Sequence, residues 1–137
     1  MSIPSFPGDE CIDIRDGIYM ILHYNAPGNF VSTIIVPSAS SLNIPYHLHP
    51  CSAETMTVLK GELNGTVTGK VVTVTPENGP LIIPPGARHE FQKKAGDREL
   101  VICESMEPWA VKKRTFFTDL FHGNKVHNSN ISVRPQI

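Results

Sequence analysis

Apolar and polar residues alternate along short stretches of the chain, and this pattern indicates β-strands. Glu54, Met56 and Val58 share one face of such a stretch, whereas Thr55 and Thr57 take the other face. Valine, isoleucine and threonine are frequent in these stretches, as they are in strands generally. The sequence predicts strands over residues 12–15, 18–25, 30–37, 44–49, 54–60, 63–74, 81–83, 88–93 and 99–105.

Prolines and glycines interrupt these stretches often, since the chain has 12 prolines and 10 glycines. Many short strands separated by turn-forming residues are typical of an all-β sandwich or a closed barrel. Turn chemistry is concentrated at residues 26–29, 77–80 and 94–97. Gly61 permits a tight reversal between two strands, because glycine adopts positive φ without strain. Residues 1–10 are expected to form a loose arm.

Residues 108–122 follow a helical period instead, and Gly123 stands where a helix C-cap is expected. The sequence therefore predicts one short amphipathic C-terminal helix, followed by a polar, extended tail over 124–137. We expect the helix to pack on the β-domain rather than to face a membrane. Its apolar face is formed by Phe116, Phe117, Leu120 and Phe121.

The composition is that of one globular domain. The chain has 137 residues, of which 40% are hydrophobic and 18% are charged. We expect a single domain over 1–137, with the core at about 12–107 and a C-terminal region at 108–137. The formal net charge is −1, from 12 basic and 13 acidic residues. Such a balanced charge offers nothing to attract nucleic acid or an anionic membrane, so neither is an expected partner.

The three cysteines, Cys11, Cys51 and Cys103, are odd in number and widely spaced. This pattern does not indicate a disulfide framework, so a reducing compartment is expected. No apolar run approaches the length of a membrane span. The first residues lack the basic and apolar regions of a signal peptide. We expect a cytoplasmic protein.

Two histidines and a glutamate form a first block with the spacing H-x-H-x4-E-x6-G. The block consists of His47, His49, Glu54 and Gly61. Two histidines one residue apart on a strand project from the same face and can share one ion. Imidazole and carboxylate are suitable ligands for first-row divalent metals.

A second block, P-x-G-x-x-H, consists of Pro84, Gly86 and His89. The proline and the glycine are expected to turn the chain sharply, so that His89 enters the β-domain at a fixed angle. A third histidine on a neighbouring strand would complete a metal pocket with the first block.

The two blocks resemble the two motifs of the cupin superfamily, over roughly residues 30–105. The resemblance implies an all-β, single-domain jelly-roll β-barrel, here with a short C-terminal helix. It also implies that His47, His49, Glu54 and His89 bind one divalent metal ion inside that barrel. Homodimerisation, which is frequent in small cupins, is implied as well.

Three positions depart from the cupin motifs. Ser41 stands where the first motif opens with glycine. Asn78 and Lys93 stand where the second motif has glycine and asparagine. These are turn and edge positions, so they affect loop geometry more than the proposed ligands.

Four protein ligands on a mononuclear ion leave one or two coordination positions for a substrate, water or dioxygen. Iron, manganese, nickel, copper and zinc all accept such ligands, so the sequence does not decide among them. A redox-active ion favours an oxygenase-type reaction, whereas a non-redox ion favours Lewis-acid chemistry such as cyclisation, dehydration, isomerisation or decarboxylation. Glu54 is the candidate general base and catalytic residue in either scheme.

Five further residues are candidates for the substrate pocket by strand parity or by chemistry. Core packing explains each of them equally well or better. A pocket walled mainly by apolar residues favours a neutral, aromatic or polyketide-like small molecule. The five residues are Met56, Val58, Phe91, Cys103 and Tyr24.

The hypothesis that follows is a metal-dependent enzyme, a dioxygenase-like oxidoreductase by a small preference over the Lewis-acid class. Similar small cupins often belong to secondary metabolism. The alternative from another class is a non-catalytic module that binds a small ligand in the same cavity.

Several residues outside the two blocks receive plainer interpretations. His23, His122 and His127 are expected to be surface or hydrogen-bonded histidines rather than ligands. Cys51 is expected to shape its loop, and Arg88 is expected to point outward by alternation with His89.

Overall fold

The computed structural model describes residues 3–27 and 29–107. The predicted helix over 108–122 and the tail over 124–137 therefore lie outside the described residues. Within the described part, no helix has the length and apolar character that a membrane span requires. Ten strands are present in this part. They are β1 (Glu10–Arg15), β2 (Ile18–Leu22), β3 (Phe30–Val36), β4 (Leu42–His47), β5 (Ala53–Lys60), β6 (Leu63–Val67), β7 (Lys70–Val74), β8 (Leu81–Ile83), β9 (His89–Lys93) and β10 (Leu100–Glu107).

The strands form two antiparallel sheets. One sheet has six strands in the order β1-β2-β3-β10-β5-β8, and the other has four in the order β4-β9-β6-β7. The last described strand, β10, lies between β3 and β5. It is therefore a central strand of the larger sheet. The predicted all-β architecture is confirmed.

The main apolar core lies between the two sheets. Met56 and Val58 from β5 pack there with Leu63 from β6 and Phe91 from β9. The alternation on β5 explains this, because its buried and partly exposed residues follow each other one by one. Complete burial of a side chain such as Phe91 stabilises the fold by about 2–3 kcal/mol. We call the sheet surfaces that line this core the inner faces.

The single strand predicted over 63–74 is wrong, because the structure has the two strands β6 and β7 there. They pair as a hairpin around Thr68 and Gly69, whose φ angles are 53° and 77°. Two consecutive residues with positive φ are typical of a type I′ turn, which matches the twist of paired strands. The alternation continues through both strands, so the pattern alone gave no indication of the reversal.

The N-terminal arm is attached to the sheet rather than loose. The amide of Phe6 donates to Asp9 Oδ2 at 2.9 Å, and Asn25 Nδ2 donates to the carbonyl of Pro7 at 2.8 Å. The Phe6 ring also contacts the ring of His23 edge-on, with centroids 5.3 Å apart. The contacts of Phe6 and Pro7 hold the arm against the residues that follow β2.

Candidate metal centre

His47 is the last residue of β4, an edge strand that pairs with β9. The register between these strands shifts between Ile44 and His47, at Pro45 and Tyr46. An edge strand tolerates a proline, and such irregularities redirect the side chains that follow. The shift places His47 directly opposite His89, and their ring centroids are 4.2 Å apart.

A tight turn leads into His89, as the second block predicts. The amide of Ala87 donates to the carbonyl of Pro84 at 3.1 Å, and Gly86 has a φ of 80°. A positive φ at the third position is typical of a type II turn and favours glycine. The amide of Gly86 also donates to the carbonyl of His49 at 2.8 Å, which joins this turn to the loop of the other histidine.

His49 lies in the loop after β4, so the prediction that it continues the strand of His47 is wrong. Its ring still lies next to that of His47, nearly perpendicular to it, with centroids 4.9 Å apart. Glu54 projects from β5 on the inner face. Its Oε1 lies 3.1 Å from Nε2 of His89 and 3.7 Å from Nε2 of His49. The structure therefore brings all four sequence candidates together.

The donor set, defined as His47, His49, Glu54 and His89, has the dimensions of a mononuclear site. One ligand atom from each residue can be chosen so that all lie within 4.8 Å of one another. Ligands held about 2.1 Å from one ion lie about 3 Å apart when adjacent and about 4.2 Å apart when opposite. Shifts of a few tenths of an ångström would bring all four ligand atoms within bonding distance of one ion. The donor set therefore fits a divalent metal.

Backbone carbonyls orient two of the imidazole rings. Nδ1 of His47 lies 2.6 Å from the carbonyl oxygen of Pro45, and Nδ1 of His89 lies 2.9 Å from that of Ala87. A carbonyl oxygen only accepts, so each Nδ1 carries the proton in these contacts. This leaves the Nε2 lone pairs for a metal, and fixed tautomers of this kind raise the affinity of metal sites.

The donor set is buried on one side and accessible on the other. The side chains of Glu54 and His89 are 3% and 1% exposed, whereas that of His49 is 24% exposed. His47 is half-buried as well. The exposed side of the donor set is therefore formed by His47 and His49.

Four of the five pocket candidates lie at the core between the sheets. Met56, Val58 and Phe91 are members of the buried cluster, and the half-buried Tyr24 packs against it. Cys103 does not share this position. It pairs with Thr57 and Thr33, and its Sγ lies 3.4 Å from Thr33 Oγ1.

The assignment of Cys103 to the pocket wall is therefore corrected, because the residue lies on the outer face of the six-stranded sheet. Its neighbour Val101, two residues earlier, belongs to the outer cluster with Ile21 and Ile35. Burial raises the pKa of the Cys103 thiol, an effect that the contact with Thr33 partly offsets.

Two polar residues on the inner face were not among the sequence candidates. Glu104 on β10 follows Leu100 and Ile102 at every second position, and Ser32 on β3 lies directly opposite it. Glu104 is 5% exposed and Ser32 is fully buried. The alternation on β10 could have revealed Glu104, since both apolar residues before it in this series belong to the core.

The remaining candidates follow their plainer interpretations where the structure describes them. His23 is buried, with Nδ1 3.0 Å from Asp9 Oδ1 and Nε2 2.7 Å from Thr33 Oγ1. Cys51 and Arg88 are exposed. His122 and His127 lie outside the described residues.

Comparison with known proteins adds one finding, at the level of the fold. No family model matches the sequence, and no curated protein matches it either. Among solved structures, an RmlC-like cupin from Shewanella frigidimarina matches with a TM-score of 0.55 at 18% identity, over 79% of this chain and 92% of that chain. The chain has the cupin fold.

Two further solved structures agree with this fold. KdgF from Halomonas sp. matches with a TM-score of 0.52 at 15% identity, over 69% of this chain and 84% of that chain. Drosophila melanogaster CENP-C bound to CAL1 matches with a TM-score of 0.54 at 12% identity, over 72% and 81%. Identities this low establish the fold alone, so the activity of this chain has to be argued from its own residues.

Proposed function

We propose that this cupin is a metal-dependent enzyme of oxygenase type that acts on a neutral, aromatic or polyketide-like small molecule. The donor set would hold one divalent ion of iron, manganese, nickel, copper or zinc. The observation that carries this proposal is the convergence of the four ligand atoms within 4.8 Å. The carbonyl contacts that orient His47 and His89 support it, because they direct both Nε2 atoms to one point.

The accessible side of the donor set would receive the substrate. His47 and His49 border this opening, whereas Met56 and Phe91 provide apolar surface behind the buried donors. This surface would exclude water and favour an aromatic or enolic ring. When bound, a redox-active ion would supply activation of a phenolate or enolate toward dioxygen.

Glu54 is the proposed catalytic base, because it is the one carboxylate in the donor set. A proton transferred from the substrate to a carboxylate oxygen of Glu54 requires no oxidant. This position therefore also favours a second candidate, a non-redox cyclase, dehydratase, isomerase or decarboxylase that uses the same residues.

An assay of substrate consumption with and without oxygen separates these classes. The full chain, with its metal content measured after purification without added metal, is incubated with a panel of phenols and β-dicarbonyl compounds. Turnover that is lost under anaerobic conditions and restored by air supports the oxygenase. Turnover that persists without oxygen supports the second candidate.

Two variants show whether any turnover comes from the proposed site. Glu54→Gln is expected to lower the rate at least about 100-fold, as loss of a general base does. Glu107→Gln is a matched control, because this exposed glutamate lies at the end of β10. Metal binding without turnover of any panel compound would place the chain with the non-catalytic alternative. CENP-C, solved bound to CAL1, illustrates a cupin fold with a protein partner.

Location and assembly remain proposals from the sequence. We propose a cytoplasmic homodimer, without nucleic-acid or membrane partners. Light scattering during size-exclusion chromatography tests the oligomeric state.

A further inference from the structure

The four residues of the donor set are held to different degrees by the fold. His47 ends β4, Glu54 lies in β5 and His89 begins β9. His49 lies instead in the loop between β4 and β5. His47 and His89 are paired directly opposite each other, so neither can move far without disturbing the pairing of β4 with β9. A ligand in a loop lacks this constraint, because loops open at a lower free-energy cost than paired strands.

The side chain of His49 also has room to turn away from the donor set. It is 24% exposed, whereas the side chains of Glu54 and His89 are 3% and 1% exposed. His47 is half-buried as well, so strand pairing rather than burial holds it in place. Nε2 of His49 lies 3.7 Å from Oε1 of Glu54, beyond the spacing of about 3 Å that adjacent ligands adopt. Departure of His49 therefore disturbs the sheet and the core least.

The proposed reaction needs more coordination positions than the whole donor set leaves. An octahedral ion bound by all four residues has two positions left. A phenolate or enolate that chelates through two oxygens occupies both, and dioxygen then has none. Departure of one imidazole supplies the third position. Two histidines and one carboxylate then remain, which is the ligand composition of many iron(II) oxygenase sites.

We propose that His49 is the exchangeable ligand of the donor set, which yields its position to a chelating substrate. His47, Glu54 and His89 keep the ion in place during this exchange. A ring nitrogen is replaced by a substrate oxygen, whose proton passes to Glu54, and no oxidation state changes. The inference rests on the proposed function, and it narrows the substrate class to molecules with two oxygens placed to chelate, as in a catechol or a β-diketone.

Co(II) affinity compares the two histidines of the first block. The metal-free full chain and its His47→Ala and His49→Ala variants are titrated with Co(II) by isothermal titration calorimetry. We expect His49→Ala to lower the affinity by less than about tenfold and His47→Ala to lower it at least about 100-fold, the lower and upper limits for loss of a group that only supports a ligand. An equal loss in the two variants, or a larger loss in His49→Ala, overturns the proposal.

Visible spectra show directly whether His49 leaves when a chelator binds. The unmodified chain and His49→Ala, both loaded with Co(II), are compared before and after saturation with acetohydroxamate, a colourless chelator with two oxygen donors. We expect the d–d bands to differ before the addition, because His49 binds in one protein only. After the addition we expect them to coincide. Glu107→Gln, a variant at the exposed end of β10, should behave as the unmodified chain does throughout.

The outcomes separate this inference from the proposed function. Normal Co(II) binding with spectra that still differ in the presence of acetohydroxamate overturns the exchange alone. Spectra that already coincide without the chelator also overturn it, since His49 would then not be a ligand. Failure of the chain to bind Co(II) overturns the proposed function, and the exchange with it. If His47→Ala does not fold, the spectra of the unmodified chain and His49→Ala still decide the outcome.

Discussion

Nδ1 of His89 lies 2.9 Å from the carbonyl oxygen of Ala87, two residues earlier in the chain. His47 has the same relationship to Pro45, at 2.6 Å. Each ring is thus oriented by the backbone of its own segment, because the acceptor is a carbonyl whose position is set by the local turn or strand. The rings are positioned for an ion by contacts that do not depend on the ion.

The contact of His47 with the carbonyl of Pro45 determines its tautomer. In metal-free protein, at a pH where imidazoles are neutral, we expect His47 to carry the proton on Nδ1. His89 differs, because its Nε2 lies 3.1 Å from Oε1 of Glu54 and can donate there when no metal is bound. Long-range ¹⁵N–¹H correlation spectra distinguish the two tautomers, and a His47→Gln variant assigns the signals. A dominant Nε2–H form of His47 would contradict the orientation described here.

Lys93 is the last residue of β9, and its side chain attaches this end of the strand to the neighbouring backbone. Its Nζ donates to the carbonyls of Ser38, Ser40 and Lys94 at 3.1, 2.8 and 2.9 Å. The side chain is 2% exposed. Lys93→Met keeps much of the volume but leaves three carbonyls without this donor. We expect a loss of about 2–3 kcal/mol in the free energy of unfolding.

Urea denaturation measures this loss, and the adjacent Lys94→Met is the matched control. Lys94 is exposed, so its replacement is expected to change stability by less than about 0.5 kcal/mol. Equal effects of the two substitutions would show that the carbonyl contacts of Lys93 contribute nothing measurable.

Local patterns in the sequence were sufficient for much of the fold. Alternation predicted the face of Met56, Val58 and Phe91, because a period of two depends only on neighbouring residues. The spacing of the two blocks selected the four residues of the donor set, which the structure brings within 4.8 Å. The turn at Gly86 was predicted as well, since its proline and glycine have strong local preferences.

Features that depend on pairing between distant strands were not predictable in this way. The register shift that places His47 opposite His89 arises from the pairing of β4 with β9. Cys103 was chosen because it lies on a late strand, without regard to its place in the alternation, and it lies on the outer face with Thr33. The same alternation placed Glu104 on the inner face, which shows that parity was the better guide on β10.

The three cysteines are expected to differ in reactivity toward a thiol reagent. Cys51 is exposed, whereas Cys11 and Cys103 are buried, and each of the three carries a thiol. Only the thiolate reacts, and burial raises the pKa of the Cys103 thiol. Ellman's reagent should therefore modify one thiol rapidly in native protein and three in denaturant. Cys51→Ser should remove the rapid phase, and a rapid phase that persists in this variant would contradict the burial of the other two.

The raised pKa of the Cys103 thiol also predicts a pH dependence of stability. The unfolded chain loses this proton at a lower pH than the folded chain, so the folded state is favoured in full below the unfolded pKa. Stability should then fall as the pH rises above about 8.5. Thermal unfolding between neutral and alkaline pH should show a smaller fall in Cys103→Ala than in Cys51→Ala. Identical profiles for these two variants would show that Cys103 does not contribute.

The convergence of three imidazoles and one carboxylate on a common ion is tested most directly by titration of metal-free protein with Co(II). We expect one ion per chain, visible d–d absorption bands at saturation, and loss of this binding in His89→Ala but not in Glu107→Gln. The contrary result is a chain that takes up no Co(II), or a His89→Ala variant that binds it as tightly as the unmodified protein.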